Sequence, residues 1–157
     1  MKFGCLMAAS AAAFLATAAG AQTVEFRGGG YVSVPTSTAC QNAGWPPGSF
    51  YMNMLYRPAN VGSNGSLSRL SFFFQHFAMN YSVQGDLTKT FKPVTGGGLR
   101  SSQYGYPKFV KMKKTGMTPR NVTAASQWVV LSGEIKGLDG VRGCQTGFRG
   151  TLPRRPF

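Results

Sequence analysis

Residues 127–150 read QWVVLSGEIKGLDGVRGCQTGFRG, and their pattern decides the fold. Two runs of alternating apolar and polar residues, 127–136 and 142–150, flank Asp139-Gly140. Both turn residues tolerate positive φ, so the dipeptide predicts a type I′ β-hairpin. A two-residue turn there places Leu131 opposite Phe148 and Ile135 opposite Cys144, with Val129 on the same face. Glu134 then falls opposite Gln145, and Val130 opposite Arg149, on the other face. Turn chemistry and side-chain alternation agree on this register, and Cys144 points inward.

Working outward, further short runs rich in Val, Phe, Tyr and Thr are bounded by Gly, Pro and Asn. They lie at 23–27, 30–34, 50–57, 67–84, 87–95 and 107–113. In the longest, Phe73, Phe77, Met79, Tyr81 and Val83 fall on alternate positions, broken by Gln75, opposite His76, Asn80, Ser82 and Gln84. Phe72-Phe73-Phe74 is apolar on both faces, which predicts two-sided burial or a bulge. Gly85-Asp86 offers a second hairpin, but a strict two-residue loop sets Met79 opposite Lys92, a poor register. Little helix is expected: one turn from Thr118-Pro119 through Ala125, with 35–48 an irregular loop carrying Cys40. The fold class is all-β, a single-domain β-sandwich or small β-barrel.

Residues 1–21 have the form of a secretory signal peptide. Lys2 precedes an apolar run from Leu6 to Ala19, and Ala19-Gly20-Ala21 supplies a small-residue cleavage site. The mature domain is then 22–157, exported to the periplasm or beyond the cell. Of three cysteines, Cys5 leaves with the leader, so Cys40 and Cys144 are expected to form one disulfide in an oxidising compartment. The tail 152–157, with Pro153-Arg154-Arg155-Pro156-Phe157, reads as a frayed cationic end. Its prolines and arginines interrupt the alternation that a final outer-membrane strand requires.

The chain holds 17 Lys plus Arg against 4 Asp plus Glu, a net charge of +13, of which Lys2 is the leader's share. Only 13% of residues are charged, so the balance reflects a shortage of acids more than an abundance of bases. That shortage weighs against acid–base catalysis. His76 is the only histidine, no GxSxG elbow supplies a serine, and Glu25, Asp86, Glu134 and Asp139 show no paired spacing. No cofactor or metal is called for, since a disulfide would consume both mature thiols. The glycine triplets 28–30 and 96–98 fit neither GxGxxG nor GxxxxGK[ST]; strand connections or bulges account for them.

The stretch 104–120 carries the strongest functional signal. Tyr104, Tyr106 and Phe109 are interleaved with Lys108, Lys111, Lys113, Lys114 and Arg120. In an extended segment Lys111 and Lys113 share one face, with Val110 and Met112 on the other. Lysine also defends exposed sheet edges, so edge protection competes with anion binding here. The leading expectation is an exported, non-enzymatic binding module for an anionic glycan, lipid head group or acidic protein surface. Nucleic acid fits the charge but ranks lower for an exported chain. A structural or assembly subunit of the envelope, using the aromatic segment 72–81, is the alternative. A hydrolase built on His76 or an acid pair comes third.

Overall fold

The computed structural model describes residues 22–95, 97–98 and 107–155. Within them, β1 (Phe26–Val34), β2 (Gly48–Arg57), β3 (Leu67–Phe73), β4 (Ala78–Gln84), β5 (Lys92–Pro93), β6 (Gly97–Gly98), β7 (Lys111–Thr118), β8 (Trp128–Lys136) and β9 (Gln145–Pro153) form one sheet. Its order is β5-β7-β8-β9-β1-β2-β3-β4-β6, with every named pair antiparallel. The two terminal strands, β5 and β6, are consecutive in the chain. Laid flat, nine strands at about 4.8 Å spacing would separate the outer ones by about 38 Å. The short link from Pro93 to Gly97 spans at most about 15 Å, so the sheet has to curl. It does, and is nearly closed into a barrel.

The type I′ turn forms at the expected dipeptide. Asp139 has φ 55°, Gly140 φ 74°, and Val141 N–H donates to Leu138 O at 3.0 Å. The ladder beneath it differs from the simple hairpin. Arg142 and Gly143 are extra residues on the returning arm, and Cys144 O accepts from both Gly137 and Leu138 N–H. Ile135 therefore faces Thr146 and Leu131 faces Gly150. A slip of two residues, unlike a slip of one, leaves each side chain on its own face. Val129, Leu131, Ile135, Cys144 and Phe148 are accordingly all buried.

Other expectations need correction. The run 67–84 is two strands, β3 and β4, joined by a turn at Gln75-His76 in which Phe74 N–H donates to Phe77 O at 2.9 Å. The phenylalanine triplet is thereby neither bulged nor buried on both faces: Phe72 is buried and Phe73 exposed. Gly85-Asp86 does not turn the chain back on β4. Residues after it cross to β7, where Lys92 faces Met112 and Thr88 O accepts from Lys114 N–H at 2.8 Å. Of 87–95, only Lys92–Pro93 is strand. No helix follows Thr118-Pro119; Thr123 and Ser126 close a turn instead. The short α-helix, α1 (Thr38–Gln41), lies in the segment expected to be irregular. It has no side-chain cap, and Cys40 within it is bonded to Cys144 across 104 residues of chain.

Gly28–Gly30 lies inside β1, not at a bulge or connection. A Cβ on Gly28 would come within 2.1 Å of Thr151 O, and one on Gly30 within 2.7 Å of Met54 Sδ. Close approach of neighbouring backbone and side chains explains these glycines. Of the glycines at 96–98, residues 97 and 98 form β6, and 96 lies outside the described residues. The same economy fills the barrel elsewhere: the Phe148 ring occupies the space left by Gly133 on the opposite strand. Four buried methionines, Met52, Met54, Met79 and Met112, fill the interior beside Phe26, Leu70, Phe72 and Tyr81. Unbranched thioethers suit such irregular gaps.

Of the cationic tail, Leu152 and Pro153 continue β9, and Leu152 is fully buried. Arg154 N–H donates to Gln127 O and Arg155 N–H to Glu25 O, so pairing runs through Arg155. Residues 156–157 and 1–21, the expected leader, lie outside the described residues. No helix among the described residues is long and apolar enough to cross a membrane.

Candidate functional site

Alternation along β7 begins as expected: Val110 and Met112 point into the barrel, Lys111 and Lys113 outward. The basic stretch nevertheless divides. Lys113 and Lys114 are successive strand residues and leave opposite faces. Lys114 is largely covered; its Nζ lies 2.9 Å from Asp86 Oδ2. With Lys89 and Arg120 it lines a depression of about 420 Å³ near the opposite end of β7. Lys111 and Lys113 belong to a different surface. Tyr104 and Tyr106 lie outside the described residues.

That outer surface gains members the stretch itself does not contain. Lys136 on β8 stands directly opposite Lys111. Lys113 Nζ lies 4.6 Å from the centre of the Phe91 ring, and Lys136 Nζ 4.1 Å from the same ring. Arg142, from the β8–β9 loop, stacks its guanidinium 4.7 Å from Phe109, next to the exposed Lys108. Both rings therefore serve as apolar floors under cations, an arrangement that holds a charge in place while leaving it accessible. One acid enters the ridge: Glu134 pairs with Lys113 at 3.2 Å and accepts from Gln145 Nε2 at 3.0 Å. Lys111, Lys136 and Arg142 have no ion-pair partner among the described residues. β5 covers β7 only at Lys111 and Met112, so β7 lies next to the sheet edge and its lysines also suit edge protection.

Basic residues on the other side of the barrel are paired internally despite the shortage of acids. Glu25 is buried, and Arg27 Nε donates to its Oε1 at 2.8 Å while Arg57 Nε donates to Oε2. Those arginines hold the fold and are not part of a free cationic field.

A second feature escaped the sequence reading. The registers put the 35–47, 74–77 and 137–144 loops at one end of the barrel. Trp45 from the first packs edge-on against Phe50, Phe74 and Phe77, with ring centres 5.1, 5.9 and 6.0 Å away. Phe74 and Phe77 stack on each other at 4.4 Å. These rings floor an open cleft of about 700 Å³, whose polar lining includes Asn53, Gln75, His76 and Asp139. Burial raises the Asp139 carboxyl above the ordinary carboxylate range, against the opposing effects of the Trp45 indole N–H and the charge of His76. Tyr51 and Phe73 stand exposed on the rim. The Cys40–Cys144 bond joins the loops that supply Trp45 and Asp139.

The sequence places His76 on a strand face and Asp139 in a turn, with nothing that joins them. Only the two-strand hairpin at 67–84 and the longer β8–β9 loop bring them to one cleft. Among its described lining residues there is no serine, threonine or cysteine to act as a nucleophile. The chain matches no protein-family model, and neither the curated proteins nor the solved structures provide a match.

Proposed function

We propose that the protein is an exported binding module that holds an anionic glycan along the ridge formed by Lys111, Lys113, Lys136 and Arg142. One observation carries the proposal: Lys111 and Lys136 oppose each other directly across β7 and β8 with no acid between them. Like charges in that position destabilise a sheet. Edge protection needs lysines on the edge strand but gives no reason for a matching lysine on its inner neighbour. A chain of carboxylates or phosphates would neutralise both, and the aromatic floors at Phe91 and Phe109 keep the cations presented. The disulfide supports export, since such bonds persist in oxidising compartments.

The test is a matched pair of charge reversals. K111E/K136E and R69E/R149E change net charge equally, and all four side chains lack an ion-pair partner among the described residues. Elution from immobilised polygalacturonate should move to markedly lower salt for K111E/K136E than for R69E/R149E. Equal shifts would reduce the interaction to nonspecific charge. Binding to phosphatidylglycerol vesicles but not to polygalacturonate would transfer the same ridge to a lipid head group.

The assembly reading keeps one specific support. Tyr31, Tyr51 and Phe73 are 55%, 58% and 42% exposed, and Tyr31 and Tyr51 meet edge-on at 5.8 Å. Sedimentation at high protein concentration separates it: a strict monomer with no cross-linked envelope partner removes that support.

A further inference from the structure

We infer that the Trp45–His76–Asp139 cleft is a second binding site, taking one ring of an uncharged sugar. It does not rest on the cationic ridge, which offers nothing to a neutral ligand. The cleft's size lies within the range of about 300–1,000 Å³ usual for small-ligand sites. Its lining is of two kinds, and each restricts the occupant. The rings of Trp45, Phe50, Phe74 and Phe77 provide an apolar floor, with Phe73 exposed at the rim. Asp139, His76, Gln75 and Asn53 provide acceptors and donors around it.

Charge removes the ionic candidates. A cation would approach against the protein's large positive field, and an anion would meet the Asp139 carboxylate inside the cleft. A purely apolar chain would cover the carboxylate and two side-chain amides without satisfying them, which disfavours it. A pyranose ring matches both linings, with C–H groups over the rings and hydroxyls towards the carboxylate and amides. The disulfide supports this role by fastening the loops that carry Trp45 and Asp139 before any ligand arrives.

The test uses the full mature chain carrying W128F, which leaves Trp45 as the only tryptophan. Its emission is titrated with chitotetraose, cellotetraose and maltotetraose. At least one should give a saturable change, with affinity reduced about tenfold or more by Phe73→Ala or Asp139→Asn. Asparagine tolerates the positive φ at 139, so the second variant keeps the turn. K111E/K136E should leave this affinity unchanged, which separates it from the ridge. The inference is overturned if none of the three sugars binds at millimolar concentration, if both cleft variants bind as the parent does, or if decanoate binds where the sugars do not.

Discussion

Replacing Arg27 and Arg57 together with alanine should destabilise the protein by about 3–5 kcal/mol, because it strands a buried carboxylate without a partner. Glu25 is 1% exposed, and the two guanidinium groups take one carboxylate oxygen each. Arg27 and Arg57 are themselves 54% and 37% exposed, so the loss is asymmetric. Removing the acid leaves two cations that water can reach, whereas removing the cations leaves an anion that water cannot. Adding Glu25→Gln to the double variant should therefore recover a substantial part of the loss. Urea denaturation midpoints check both statements. If the double variant is as stable as the parent, or if the triple variant is no better than the double, the ion-pair clamp is not what secures this side of the barrel.

The Cys40→Ala, Cys144→Ala variant should lose about 3–5 kcal/mol. Closing a loop of 104 residues removes chain entropy from the unfolded state worth about 4.7 kcal/mol in the loop-entropy model, and measured losses for such bonds run from about 2 to 5. Alanine is the appropriate replacement because both sites are fully buried and a hydroxyl there would lack a partner. The expected readout is a lower urea midpoint, with a shift in Trp45 emission as the 35–47 loop loosens from 137–144. A midpoint unchanged from the parent would show that α1 and the β8–β9 loop hold together by packing alone.

The all-β class and the inward face of the last hairpin were legible because each is local; the disulfide, which joins residues 104 apart, was legible because setting aside Cys5 leaves a single pairing. Asp139-Gly140 takes the positive φ its chemistry allows, and the two extra residues at 142–143 shift the register without changing any face. The division of 67–84 was not legible: no Gly, Pro, Asn or Asp marks the turn at Gln75-His76, and the break that Gln75 makes in the apolar face is also what a bulge would give. That one turn moves Phe73 to the surface and brings His76 to the aromatic cleft. The stretch 104–120 showed the charge but not its partition. Lys114 meets Asp86, from the segment beyond β4, while Lys111 meets Lys136 on β8, and neither pairing is local in sequence. Lys136, Arg142 and Phe91 joined the ridge for the same reason. Trp45 carried a weak signal in Trp45-Pro46-Pro47-Gly48, since a tryptophan in a loop has to find apolar cover somewhere.

The central claim is that a discrete ridge, and not diffuse charge, binds a polyanion. It is tested most directly by recording backbone amide shifts of the isotope-labelled protein during titration with oligogalacturonate. The expected result is a single set of perturbed amides at 111–113, 134–136 and 142, fading together as salt is raised. Perturbations of equal size at Arg69, Lys89, Arg120 and Arg149 would contradict it, leaving the excess charge as a general property of the surface.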